Sequence, residues 1–174
     1  MGDFRLTGEV RRLTARGLLH YRCASIKAKD LLRFWIPHLV LNTVLTGGKC
    51  PSAVLVGREE ALRIPPLEGA PDILTGLLEL YWQGLTRPLK FFPQTAWAYA
   101  EAALKQESGG SKQDPTGVAR LTWEGNSFTK MPGECEDAYF DLCFRSVDPL
   151  DEEFQQTARA VFGPLLSVLE EVAP

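Results

Sequence analysis

A chain of 174 residues, 45% of them hydrophobic, with a formal charge of −3, can bury about 70% of its unfolded surface and needs no staple to hold a core. No apolar run approaches the roughly 20 residues of a membrane span, and the N-terminus lacks the charged-then-apolar order of a signal peptide. A soluble, cytoplasmic chain is therefore expected, with residues 1–174 forming one domain and no membrane partner.

The first elements predicted are two strand-like runs, residues 4–13 and 18–26, joined at Ala15-Arg16-Gly17 into a hairpin that carries Arg11, Arg12, Arg16 and Arg22. Residues 1–33 hold eight Lys/Arg against three Asp/Glu, a local charge of +5 that leaves −8 for the remainder. An asymmetry of this kind suggests one face made for a polyanion, although the net negative charge argues against a freely acting DNA binder. The alternative is a solvated hairpin. The candidate phosphate contacts are Arg11, Arg12, Arg16, Arg22, Lys27 and Lys29. Glu9 and Arg11 fall on one face of the first strand and fit a diagonal ion pair, worth at most about 1 kcal/mol.

Helical spacing over 28–45 follows, with Pro37 marking a kink or a break after Ile36 and Gly47-Gly48 marking the end. Two short β-branched runs, 52–56 and 61–64, are separated by a turn at 57–60 and stopped by Pro65-Pro66. An amphipathic helix is predicted over 70–84, with Pro71 near its start and Gly84 as its cap. Residues 88–93 read as extended, 95–106 as a helix, and 108–117 as a mobile loop of Gly, Ser, Lys, Gln, Asp and Pro. A short helix at 137–144 and a turn at 147–150 lead to a terminal helix over 152–171, bent near Gly163-Pro164 and capped by Asp151. Trp35, Tyr81 and Trp97 lie on apolar helical faces and are read as core, not as stacking platforms; Trp123, after the loop, fits either role.

This order is α/β, with too few alternations for a Rossmann sheet, and fits a small mixed β-sheet flanked by helices. There is no Gly-x-Gly-x-x-Gly, Walker loop or Gly-x-Ser-x-Gly, which excludes the common nucleotide and acyl-transfer sites. Cys23, Cys50, Cys135 and Cys143 include no Cys-x-x-Cys pair, and His20 and His38 are the only other soft ligands. The thiols are read as buried, and neither a metal nor another cofactor is expected.

Four phrases taken together, Leu6-Thr7-Gly8-Glu9-Val10, Leu32-x-x-Trp35-Ile36-x-His38-Leu39, Leu78-x-x-Tyr81-x-x-Gly84-Leu85-x-x-Pro88-Leu89-x-Phe91-Phe92-Pro93, and Phe144-Arg145-x-x-Asp148-Pro149-Leu150-Asp151, resemble the C-terminal domain of RecC, the gamma subunit of exodeoxyribonuclease V. The resemblance implies the last portion of a bacterial subunit of the RecBCD helicase-nuclease, which processes double-strand breaks and recognises Chi. Its partners would be RecB-like and RecD-like subunits of a heterotrimer and forked or double-stranded DNA. It also implies a restriction-endonuclease-like fold of the PD-(D/E)XK type, in which a Gly-x-x-Asp strand and an acid-x-Lys strand hold magnesium.

Here the residues depart from that pattern. Gly8-Glu9-Val10-Arg11 places a cation where the Asp would stand, and His20-Tyr21-Arg22-Cys23-Ala24 supplies no carboxylate on the second strand. Magnesium requires hard oxygen ligands. The expectation is a nuclease-like fold with no catalytic residues, acting as scaffold and DNA guide near the strand-splitting point. Two alternatives stand beside it: a platform that docks the partner subunits without touching DNA, and a metal-dependent nuclease using Glu9 with Glu59 or Glu60.

Overall fold

The computed structural model describes residues 4–45, 51–126 and 131–172. In chain order these form β1 (Leu13–Thr14), β2 (Gly17–Tyr21), α1 (Ala28–Val44), β3 (Ala53–Val56), β4 (Ala61–Ile64), α2 (Ala70–Gly84), α3 (Pro93–Glu107), α4 (Pro115–Glu124), β5 (Gly125–Asn126), β6 (Met131–Pro132), a 3₁₀ turn (Glu134–Glu136), α5 (Ala138–Phe144), α6 (Glu152–Leu166) and β7 (Glu170–Val172). They group into two compact units, residues 1–82 with 167–174, and residues 83–166.

The first unit is built on a mixed sheet in the order β1-β2-β3-β4-β7. β2 runs parallel to β3, from Leu18 opposite Ala53 to Tyr21 opposite Val56, and the other pairs are antiparallel. A parallel pair needs a crossover, which α1 provides. Leu31, Phe34, Trp35 and Leu39 recur at helical spacing along α1 and are buried, as are Leu18, Leu55 and Ile64 from the sheet. Pro37 stays inside one continuous helix and does not break it. Gly17 has φ 129°, and a Cβ there would lie 2.1 Å from the Ser52 carbonyl oxygen. Only glycine fits this approach, which lets the Leu18 amide donate to that oxygen at 3.0 Å.

Several expectations need correction. The strand predicted over 4–13 survives only as β1, because neither face of the segment is buried: Leu6 and Leu13 are both about half exposed. β2 ends at Tyr21 and not near Ile26. The predicted terminal helix stops at Leu166, and its last residues become β7, which pairs with β4 and sets Glu170 3.3 Å from Arg63. Tyr81 is exposed, although Trp35 is fully buried as expected. Cys23 and Cys143 are exposed and Cys135 is partly so; small thiols carry little apolar area and need not be covered. Cys50 and the Gly47-Gly48 stop lie outside the described residues.

In the second unit α3 packs against α4 and α6. Phe92, just before α3, is fully buried among Trp123, Phe140, Phe144 and Phe154, with ring centroids 4.3 to 6.0 Å away. The Glu134 carboxylate accepts from the Gln94 and Thr95 amides at 3.1 and 2.7 Å, closing the N-terminus of α3. The loop predicted over 108–117 gives way to α4 at Pro115. Asp114 accepts from the Thr116 and Gly117 amides at 3.2 and 2.9 Å, with proline in the first turn. A local start signal therefore outweighs the breaker-rich composition around it. Trp123 is buried in this core.

Candidate nucleic-acid interface

The N-terminal segment, the end of β2 and the first half of α1 enclose a cleft of about 590 Å³ in the first unit. Arg11 and Arg12 reach it from the irregular stretch before β1, His20 and Tyr21 from the end of β2, Arg22 from the residue after it, and Asp30 and Arg33 from α1. Together with Glu9, these put four guanidinium groups against two carboxylates.

Three of the four arginines are held by different partners. Arg22 Nη1 lies 2.6 Å from Asp30 Oδ2, and the same carboxylate oxygen accepts from the Lys27 amide at 3.0 Å, closing the first turn of α1. Burial works against ionisation of Asp30, but the Arg22 hydrogen bond, the Lys27 amide and the charges of Arg22 and Arg33 outweigh it and hold the carboxyl below its ordinary range. The Arg22 amide also donates to the Val56 carbonyl at 2.8 Å, so this residue joins sheet and helix. Arg11 meets Glu9 at 3.2 Å with both side chains largely in water, the ion pair expected from their spacing. A phosphate could displace that partner cheaply. Arg12 has φ 64°, which non-glycine residues rarely adopt, and its guanidinium sits 4.8 Å from the centre of the Tyr21 ring. Burial and the neighbouring Arg12 charge lower the pKa of His20, so its imidazole is neutral at pH 7 and the positive charge of the cleft is carried by arginine.

The family model for the RecC C-terminal domain matches residues 1–104, a span that contains the whole cleft. The chain belongs to the RecC C-terminal domain family. It is 24% identical over 152 residues to the RecBCD enzyme subunit RecC of Escherichia coli K12, covering 83% of this chain and 13% of that protein. It is 22% identical over 145 residues to the RecBCD enzyme subunit RecC of Buchnera aphidicola from Acyrthosiphon pisum, covering 78% of this chain and again 13% of the relative. The chain thus spans a small fraction of the length of the curated relatives it matches.

In this chain Arg11, Arg12 and Arg22 come together, whereas the other three predicted contacts do not join them. Arg16 occupies the β1–β2 turn and lines a separate cleft of about 500 Å³ with Arg63, Ser52 and Pro66. Lys27 and Lys29 are exposed at the N-terminus of α1, outside the cleft lining, where they add to the positive end of the helix dipole. Arg33 and Tyr21 were not among the predicted contacts. Arg33 had a readable signal, since it lies three residues after Asp30 and so on the same helix face. Of the acids considered for a metal, Glu9 meets Arg11, Glu59 meets Arg58 at 2.8 Å, and Glu60 accepts from the Ile26 amide at 3.2 Å. Among the described residues, no three His, Cys, Asp or Glu side chains gather as a metal site.

Proposed function

We propose that the chain is a non-catalytic domain of a RecBCD-type helicase-nuclease in double-strand-break repair and recombination, serving as scaffold and DNA guide near the point where the duplex is split. In this reading the first unit is restriction-endonuclease-like with its metal-binding positions replaced, Arg11 standing in the irregular stretch before β1 where the first carboxylate would be. RecB-like and RecD-like subunits are its partners, in the bacterial cytoplasm.

The observation that carries the proposal is the cleft itself. Four arginines from three chain segments converge on one concavity of a protein whose net charge is negative. Such a site attracts phosphates locally while the acidic remainder repels them, which orients DNA without trapping it. Phosphate contacts position a strand without reading its sequence. The mechanism is therefore electrostatic and positional, with no bond broken by this domain.

A second reading, a platform that docks the partner subunits without contacting DNA, is favoured by Tyr139 and Leu142, which lie one turn apart on α5 and are 79% and 66% exposed. Reversing charge at Arg11, Arg12 and Arg33 separates the two. Loss of forked-duplex binding with normal assembly onto RecB-like and RecD-like subunits supports the guide; the opposite pattern supports the platform.

A further inference from the structure

We infer that Arg12 and Tyr21 form a stacking shelf for an unpaired nucleobase, so that the ligand of the basic cleft is single-stranded DNA. This deepens the guide reading and rests on it. Tyr21 is the last residue of β2 and is 62% exposed, in contrast to the fully buried Leu18 on the same strand. An exposed aromatic residue in a cleft lined by four arginines contributes little to the core, and the Arg12 guanidinium lies 4.8 Å from its ring centre.

Arg12 itself adopts the left-handed backbone conformation, at φ 64°. Outliers of this kind persist where the surroundings over-determine them, and they concentrate at ligand sites. Bases of single strands stack on aromatic rings and on arginine planes, and Tyr21 and Arg12 present one of each.

The other lining groups suit the rest of a nucleotide. Arg11 and Arg33 lie in reach of flanking phosphates, and neutral His20 offers one donor and one acceptor to a base edge. A cleft of about 590 Å³ is large enough to take a nucleotide unit. A duplex keeps its bases stacked inside and could use only the arginines; a splayed strand could use the ring as well.

The test compares the 174-residue chain with Tyr21→Leu and Tyr21→Phe, using fluorescence anisotropy of a labelled oligothymidylate of about 15 nucleotides and a duplex of about the same length. Tyr21→Leu should weaken single-strand binding by roughly 5- to 150-fold, the range for loss of one stacked base, and duplex binding by a clearly smaller factor. Tyr21→Phe should keep the affinity. An abasic sugar–phosphate oligomer should bind the wild-type chain as weakly as oligothymidylate binds Tyr21→Leu, a comparison that does not depend on how the variant folds. Equal binding of abasic and thymidine oligomers, or equal loss on single strand and duplex in Tyr21→Leu, overturns the shelf and leaves the guide reading standing. Absence of binding to either strand form overturns both.

Discussion

Mild acid should loosen the sheet-bearing unit through one imidazole. His38 lies on α1, fully buried, stacked on Trp35 with ring centroids 5.9 Å apart and planes 20° apart. Its ring also hydrogen-bonds the Pro65 carbonyl, while the Asn42 side chain on the next turn accepts from the Leu67 amide at 3.0 Å, so α1 grips the connection between β4 and α2. Burial pushes the His38 pKa down from 6.5 to about 4, against the opposing effect of the Pro65 bond. Because the folded value lies below the unfolded one, the unfolded chain takes up the proton first. Stability is complete above pH 6.5 and falls by about 1.4 kcal/mol per pH unit toward pH 4, a loss of about 3 kcal/mol in total. Against a typical domain stability of about 5–15 kcal/mol this is a large fraction.

Asp30, held by Arg22, Asp148, held by Arg120, and Asp151, held by Lys90, have pKa values lowered from 3.8, so their losses begin only near pH 5 and leave the upper part of the His38 window to histidine. His20, lowered by burial and by Arg12, shares the window, and His20→Gln removes it. Urea unfolding midpoints between pH 7 and 4.5 should therefore fall steeply in His20→Gln and become nearly flat when His38→Gln is added. With two histidines in the chain, proton NMR can follow each ring directly. A His38 resonance titrating near 6.5, or a urea midpoint that does not change with pH across the window, would refute the reasoning.

Three further outcomes concern local structure. Gly17→Ala would force a Cβ to within 2.1 Å of the Ser52 carbonyl at φ 129°, so thermal melts should show a loss of at least about 1–3 kcal/mol; an unchanged melt would mean that the turn relaxes freely. Phe92→Ala empties the centre of the aromatic cluster in the second unit and should cost about 3–5 kcal/mol by denaturant titration. Glu134→Ala frees the Gln94 and Thr95 amides and should cost about 0.5–2 kcal/mol, with faster amide exchange confined to the first turn of α3.

What could be read from the sequence follows the strength of local signals. The bounds of β4 and α2 coincide with the runs predicted at 61–64 and 70–84, because proline, glycine and apolar periodicity bracket both. α1 was equally readable, Pro37 apart. β7 was not, since Glu170-Glu171-Val172 has no strand character of its own and is recruited by the free edge of β4. α4 was hidden in a run of breakers although Asp114-Pro115 marked its start. At the cleft, Arg11, Arg12 and Arg22 flank one turn and could be grouped from sequence alone. The inclusion of Arg33 and the exposure of Tyr21 depend on how α1 lies against β2, which no local pattern encodes. Arg16 looked equivalent to its neighbours in sequence, but its place in the β1–β2 turn aims it at a different concavity.

The most direct test of the DNA-guide reading is the salt dependence of forked-duplex binding, followed by fluorescence anisotropy at about 50 and about 200 mM salt. Two to four phosphates neutralised by the cleft arginines predict an affinity that drops by roughly 10- to 150-fold over that range. Charge reversal at Arg12 and Arg33 should flatten the dependence. Binding that ignores salt, or no binding at the lower salt, would contradict the account.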